Sequence, residues 1–152
     1  MNVFIVGAGP GDPELITVKG QKLLSEADVI IYAGSLVNPA LLDYAKAGCE
    51  IHNSASMTLP QVINVIEDSV KQGKMVVRLH TGDPSIYGAI QEQMDALDKL
   101  GIEYKVVPGV SSFLATAAAL KQEYTLPGIS QTVIITRNEG RTPVPDREKL
   151  RS

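Results

Sequence analysis

Three loops rich in glycine and proline carry the residues of this sequence that are best suited to bind a small molecule. The first loop, residues 7–13, reads Gly-Ala-Gly-Pro-Gly-Asp-Pro and directly follows an apolar run. Gly7, Gly9 and Gly11 lack a Cβ atom and let the main chain approach a ligand, while the prolines fix φ. Such a loop is typical of a nucleotide-type site, and it is about as typical of a plain tight turn from a strand into a helix.

The first loop does not fit the two common phosphate-binding fingerprints. The dinucleotide pattern G-x-G-x-x-G ends at Asp12 when it is counted from Gly7, and at Glu14 when it is counted from Gly9. The next predicted strand also ends without the acidic residue that binds a ribose hydroxyl. No Gly-Lys-Ser or Gly-Lys-Thr follows the glycines, which excludes a P-loop.

Two further loops have similar chemistry. The second loop, residues 81–88, reads Thr-Gly-Asp-Pro-Ser-Ile-Tyr-Gly, and the third loop, residues 108–112, reads Pro-Gly-Val-Ser-Ser. Ser111 or Ser112 can simply cap a helix, and Asp83 can simply cap a turn. Each loop nevertheless follows a predicted strand, and the carboxyl ends of parallel strands meet at one edge of a sheet. The three loops together therefore predict a composite small-molecule site.

Apolar runs and helical stretches alternate along the chain, which predicts an α/β fold with a mostly parallel five-stranded sheet flanked by helices. The predicted strands are residues 2–7, 28–32, 49–52, 75–80 and 103–107, and the predicted helices are residues 14–25, 39–46, 60–72, 87–100 and 111–121. Residues 1–124 are expected to form one domain. Residues 125–152 are expected to form a sixth strand, at 129–137, and a polar linker toward a second domain that is absent or only begun.

Composition narrows the class of protein. The chain has 152 residues, 44% of them hydrophobic, and no apolar run approaches the ~20 residues of a membrane span. Its single cysteine, Cys49, permits no internal disulfide, which favours the cytoplasm. A net charge of −3 without a basic run argues against nucleic acid. His52 and His80 lack companions at metal-ligand spacing, so no protein-bound metal is expected.

Four segments carry a resemblance to a known family. They read Val-Gly-Ala-Gly-Pro-Gly-Asp at 6–12, Leu-Ile-Thr-Val-Lys-Gly at 15–20, Arg-Leu-His-Thr-Gly-Asp-Pro-Ser-Ile-Tyr-Gly at 78–88, and Val-Pro-Gly-Val-Ser-Ser at 107–112. Together they resemble the tetrapyrrole methylases, which transfer methyl groups from S-adenosylmethionine to corrin and sirohaem precursors. The segments at 32–39 and 126–145 resemble the branch that methylates C11 of precorrin-4 or cobalt-precorrin-4 in cobalamin biosynthesis. The resemblance covers the whole chain and implies the N-terminal domain of that fold.

The resemblance also implies roles for particular residues. Those matching the family's S-adenosylmethionine contacts are Pro10, Thr81, Gly82, Asp83, Ile86, Ser111 and Ser112. The macrocycle carries carboxylates, so Arg78, Arg137 and Arg141 are candidate partners for it, although ordinary surface ion pairs explain them equally well. Related enzymes have an acid where this chain has Ala33, so no general base is assigned.

The resemblance implies direct displacement, in which the electron-rich C11 attacks the sulfonium methyl group without a covalent enzyme intermediate. It also implies a cytoplasmic homodimer that binds a tetrapyrrole and neither nucleic acid nor membrane. Because relatives hold cofactor and macrocycle between two domains, the 152-residue chain is expected to be weakly active or inactive by itself. Two alternatives stay open: methylation of another ring carbon or acceptor, and a non-catalytic binding or assembly module.

Overall fold

The computed structural model describes residues 1–150, which divide into two compact units, Met1–Thr116 and a unit that begins at Ala117. Its strands are β1 (Val3–Gly7), β2 (Val29–Tyr32), β3 (Glu50–Asn53), β4 (Val76–His80) and β5 (Tyr104–Val107). Its α-helices are α1 (Val18–Glu26), α2 (Leu59–Lys71), α3 (Gln91–Lys99) and α4 (Ser112–Leu120). Short 3-10 helices occupy Pro13–Leu15, Pro39–Tyr44, Ser54–Ser56 and Asp146–Glu148. Within residues 1–150 no helix is both long and apolar enough to cross a membrane.

The sheet confirms the predicted fold class. Its strand order is β3-β2-β4-β1-β5, and every pair of neighbours is parallel. Parallel sheets bury both faces, which is why Val29, Ile30 and Ile31 of β2 are all fully buried. Helix α1 packs on one face through Leu23 and Leu24, whereas α2 and α3 pack on the other.

This strand order creates a switch point between β1 and β4. The two strands are neighbours, but the chain leaves β1 through α1 on one face and leaves β4 through α3 on the opposite face. In open α/β sheets the crevice at such a point, beyond the carboxyl ends of the strands, is where ligands bind. The first and second loops stand at this crevice.

Several predicted helix boundaries shift for local reasons. The predicted helix at 39–46 is a 3-10 helix, Pro39–Tyr44, and the predicted helix at 14–25 begins only at Val18, where Thr17 accepts a hydrogen bond from the Gly20 N–H. Helix α2 has the predicted Thr58 cap, and Gln61 completes a capping box there. The helix predicted at 87–100 begins at Gln91 because Tyr87 and Ala89 have φ values of 57° and 51°, which an α-helix does not accommodate.

The second unit lacks the predicted sixth strand. Residues 129–137 have no strand; Leu126 and Ser130 form a single isolated bridge, and Ile129 and Ile134 are about 80% exposed. An isolated extended segment gains stability only from a neighbouring strand or an apolar face to cover, so β-propensity alone did not form one here. That residues 125–152 lead toward a further domain stays a prediction, and residues 151 and 152 lie outside the described residues.

Three polar side chains are buried together between β4 and α3: Arg78, His80 and Gln93, each about 5–6% exposed. The Arg78 Nε–H donates to Gln93 Oε1 over 3.0 Å, and an Arg78 Nη1–H donates to the Ile31 carbonyl over 3.2 Å. Burial lowers the pKa of Arg78 to about 10, which leaves it charged at neutral pH. Burial, assisted by the nearby Arg78 charge, lowers the pKa of His80 to about 4.

His80 should therefore make the stability of the fold depend on pH. Between the unfolded pKa near 6.5 and the folded pKa near 4, the unfolded chain takes up a proton that folded His80 refuses, so stability falls as pH falls. We expect a loss on the order of 3 kcal/mol across this window in urea unfolding. His80→Gln should flatten the dependence, because glutamine takes up no proton in this range. An unchanged slope in His80→Gln would contradict the prediction.

Candidate functional site

The first and second loops are joined at the switch point by their main chains. The Gly82 N–H donates to the Gly9 carbonyl over 2.8 Å, and the Gly9 N–H donates to the Gly82 carbonyl over 3.3 Å. The Ala8 N–H donates to the His80 carbonyl over 2.6 Å just before them. The third loop follows β5, on the other side of β1. The prediction that the three loops lie together is therefore confirmed.

Bare glycines allow this close approach. A Cβ atom on Gly7 would lie 2.6 Å from the Gly82 carbonyl oxygen and 2.7 Å from the Gly109 Cα, and a Cβ on Gly109 would clash with the same oxygen. These neighbours are backbone atoms and cannot rotate away. Gly11 is different: its φ is +124°, and a Cβ there would meet nothing within 4 Å. The tip of the first loop thus borders open space while its base is tightly packed.

Asp83 joins the second loop to the third. Its Oδ1 accepts a hydrogen bond from the Ser85 N–H over 2.8 Å, which shapes the second loop, and its Oδ2 accepts one from the Gly109 N–H over 2.9 Å. Hydrogen bonds to an ionised acceptor are stronger than neutral ones. The carboxylate that the sequence singles out as a ligand contact therefore also sets the spacing of two of the loops.

Asn38 holds the first loop from the other side. Its Nδ2–H donates to the Gly11 carbonyl over 2.7 Å, while its Oδ1 accepts from the Ala40 N–H and caps the 3-10 helix Pro39–Tyr44. The Tyr44 hydroxyl donates to the Pro13 carbonyl over 3.3 Å. Sequence reasoning missed these residues. The Asn-Pro pair signals a cap, but nothing local signals a contact 27 positions away.

The other predicted contact residues line the same group of loops. The Thr81 hydroxyl oxygen is buried and has no hydrogen-bond partner among the described residues. A buried hydroxyl without a partner is costly, so it is well suited to meet a polar group of a ligand. Ser111 is buried at the position before α4, where its carbonyl accepts from the Leu114 N–H. Pro10 is partly exposed, and Ile86 and Ser112 are exposed.

The three candidate arginines have different settings. Arg78 is only 6% exposed and is hydrogen-bonded inside the sheet–α3 layer, which removes it from the surface where a substrate carboxylate would arrive. Alternate residues of a strand share a face, so Arg78 lies on the same buried face as Val76. The prediction did not use this signal. Arg137 donates to the carbonyls of Asn138, Thr142 and Pro143 within the second unit, and Arg141 is exposed there.

Comparison with known proteins identifies relatives across the whole chain. Residues 2–152 match the family Tetrapyrrole (Corrin/Porphyrin) Methylases. A cobalt-precorrin-4 C(11)-methyltransferase of Methanocaldococcus jannaschii is 67% identical over 98% of this chain and 58% of its own length. A precorrin-4 C(11)-methyltransferase of Pseudomonas aeruginosa is 51% identical over 99% of this chain and 60% of its own. The chain thus spans about three fifths of the length of these curated relatives.

Solved structures of related methyltransferases also superpose on most of this chain. The X-ray structure of a cobalt precorrin-4 methyltransferase, described as a cobalamin biosynthetic enzyme, superposes with a TM-score of 0.94 at 54% identity, over 97% of this chain and 62% of that one. A uroporphyrin-III C-methyl transferase from Thermus thermophilus, complexed with S-adenosyl homocysteine, has a TM-score of 0.71 at 34% identity, over 87% of this chain and 53% of that one.

The packing of the loop bases predicts that Gly7→Ala is destabilising. The added methyl group would lie within 3 Å of main-chain atoms of Gly82 and Gly109 and would push the second and third loops away from β1. We expect a loss of about 1–3 kcal/mol in the free energy of unfolding, measured with urea. Gly140→Ala is the matched control, since a Cβ there meets nothing within 4 Å. Equal stabilities for the two variants would show that the loops tolerate separation.

Proposed function

Because the chain belongs to the tetrapyrrole (corrin/porphyrin) methylases, we propose that it takes part in S-adenosylmethionine-dependent methylation of C11 of precorrin-4 or cobalt-precorrin-4, in cobalamin biosynthesis. The observation that carries this proposal is the 67% identity to a cobalt-precorrin-4 C(11)-methyltransferase over nearly the whole chain. Since the chain spans only part of its relatives' length, the activity, substrate and partners are proposed for the protein that carries this region.

The loops fit S-adenosylmethionine chemically. The unpartnered Thr81 hydroxyl offers a hydrogen bond, Gly11 borders open space, and the exposed Ile86 offers an apolar surface. The residues that would hold the cofactor are Pro10, Thr81, Gly82, Asp83, Ile86, Ser111 and Ser112. When bound, S-adenosylmethionine supplies an electrophilic methyl group on its sulfonium. The S-adenosyl homocysteine bound to the uroporphyrin-III C-methyl transferase supports S-adenosylmethionine as the cofactor.

The residues of this chain contribute orientation rather than covalent chemistry. Asp83 fixes the spacing of the second and third loops, and Asn38 fixes the tip of the first. Holding two reactants in attack geometry can lower a barrier by ~7–11 kcal/mol, so loops held in fixed positions contribute to catalysis without a covalent enzyme intermediate. No nucleophile or general base is assigned to the chain, and the acceptor of the proton that the methylated macrocycle releases is not assigned either.

The substrate and assembly proposals rest on the family. Arg137 and Arg141 are proposed partners for the carboxylates of the tetrapyrrole, and Arg78 is withdrawn because it is buried. We also propose a cytoplasmic homodimer that binds neither nucleic acid nor membrane. Two large apolar side chains in the second unit, Ile129 and Ile134, are about 80% exposed, which supports association.

A second candidate function is methylation of another tetrapyrrole carbon. It is favoured by the 34% identity to a uroporphyrin-III C-methyl transferase, whose acceptor, uroporphyrin III, is a different tetrapyrrole. Product analysis by mass spectrometry and NMR after reaction with each acceptor separates the two, and comparison with the cobalt-free acceptor shows whether the substrate contains cobalt. A third candidate is a binding or assembly module without catalysis, and it requires that a full-length protein carrying this region binds the cofactor but yields no methylated product.

Cofactor binding provides the first test, with S-adenosylhomocysteine as the probe. In Asp83→Asn one acceptor oxygen becomes an N–H₂ group, so either the Ser85 or the Gly109 N–H faces a donor. We expect the dissociation constant, measured by calorimetry, to rise about tenfold, since hydrogen bonds to charged groups contribute about 1.5–3 kcal/mol. Asp68→Asn, an exposed site on α2, is the control. An affinity within about twofold of the unaltered chain, with the fold intact, would remove Asp83 from the site.

Methyl transfer provides the second test. We expect the 152-residue chain alone to methylate precorrin-4 at least a hundredfold more slowly than a complete relative, because a displacement of ~1 Å between reactants can cost that factor. The measurement is the initial rate of methylated product under identical cofactor and acceptor concentrations. A rate near that of the complete relative would show that the region present here is sufficient for catalysis.

A further inference from the structure

The turn that ends the second loop is strained. Tyr87 and Ala89 have φ values of 57° and 51°, in the left-handed region that residues with a Cβ atom rarely adopt. Helix α3 begins two residues later, and its N-cap residue, Ile90, makes no side-chain capping hydrogen bond. The turn therefore needs support from elsewhere. Residues held in this way persist where the surrounding structure fixes them, which occurs most often at binding and active sites.

Gln93 supplies that support from inside the protein. Its side chain is 6% exposed, and an Nε2–H donates to the Ala89 carbonyl over 3.2 Å. The same nitrogen lies 3.4 Å from His80 Nε2, which accepts when the neutral ring carries its proton on Nδ1. Gln93 Oε1 accepts from the Arg78 Nε–H over 3.0 Å. Both ends of the amide are thus occupied, and one hydrogen of the amide nitrogen holds the strained turn.

Arg78 determines which way this amide points. Its guanidinium offers only donors, so the amide oxygen of Gln93 must face it and the amide nitrogen must face Ala89. If the amide were flipped, its NH₂ group would face the Arg78 donors and its oxygen would face the Ala89 carbonyl. Buried polar groups left without a hydrogen-bond partner in this way cost free energy. No carboxylate among residues 1–150 forms an ion pair with Arg78, whose described partners are Gln93 and the Ile31 carbonyl of β2. Arg78 is therefore held by the sheet, since it belongs to β4 and donates to a carbonyl of β2.

We propose that Arg78 and Gln93 are positioning residues, which hold the turn at residues 87–90 and thereby keep the second loop in its ligand-binding shape. The line of support runs from β2 and β4, through the buried guanidinium and amide, to the Ala89 carbonyl. It acts from beneath the loop and touches no ligand. This inference rests on the proposed function of the loops as the S-adenosylmethionine site, but the support itself is measurable without any ligand.

Gln93→Glu changes the contacts of the amide nitrogen, which are to the Ala89 carbonyl and to His80 Nε2. The carboxylate keeps an acceptor toward Arg78, and with it an ion pair, but it places an acceptor instead of a donor against the Ala89 carbonyl. We expect the ion pair to offset part of the cost of the opposed acceptors, so that the variant folds with a lower thermal midpoint. Amide hydrogens of residues 85–90 should exchange faster, and S-adenosylhomocysteine should bind about tenfold more weakly, the factor that corresponds to one lost hydrogen bond. Gln21→Glu makes the same change at an exposed helical site and should alter neither.

A second substitution tests the strain directly. Glycine adopts positive φ without a Cβ penalty, so adding Ala89→Gly to Gln93→Glu should restore most of the lost affinity and slow the exchange again. Ala89→Gly alone should leave the affinity within about twofold. Should Gln93→Glu fail to fold, Gln93→Met, which is uncharged and of similar length, removes the contacts to both Arg78 and Ala89 and should likewise speed exchange at residues 85–90.

The outcomes separate this inference from the proposed function. Unchanged exchange at residues 85–90 in Gln93→Glu overturns the positioning role, whatever the ligand data show. Faster exchange with unchanged S-adenosylhomocysteine affinity also overturns it, because the turn would then not shape the site. If the unaltered chain does not bind S-adenosylhomocysteine, the proposed function fails, while the exchange data still decide whether Gln93 holds the turn.

Discussion

The whole site depends on one close contact, the approach of the main chain after β1 to the main chains after β4 and β5. Gly7 lies so near the Gly82 carbonyl and Gly109 that no side chain fits between them. Two hydrogen bonds between Gly9 and Gly82 then lock the first loop to the second. The contact is possible because β1 is the strand between β4 and β5. A different strand order would scatter the same loops along the sheet.

Side chains then hold these loops at fixed distances from one another through hydrogen bonds. The roles of these side chains differ from those that residue type alone implies. Asp83 resembles a ligand contact, yet both of its oxygens accept main-chain N–H groups. Arg78 resembles a partner for an anionic substrate, yet it lies inside the protein among neutral acceptors. An enzyme that works by holding two reactants in place needs such supports, since it forms no covalent intermediate with either of them. The proposed methyl transfer therefore draws on buried residues as much as on exposed ones.

The second unit shows where sequence patterns are weakest. The β-branched and apolar residues at 129–137 predict a strand, and the structure has none there. A strand is stabilised by hydrogen bonds to a neighbour and by packing on a face, neither of which is a property of the segment itself. By contrast, the strands near positions 28–32 and 75–80 were predictable because each is a fully apolar or nearly apolar run, as burial on both faces requires.

By itself the sequence determined the fold class, the positions of the five strands and the three glycine-rich loops, because these follow from local hydrophobicity, glycine and proline. Tertiary structure alone decided which loops touch, since that depends on strand order. It also decided that Asn38 reaches Gly11, that Asp83 reaches Gly109, and that Arg78 reaches Gln93. Each of these hydrogen bonds joins different elements, and a hydrogen-bonding group finds its partner only after the chain has packed.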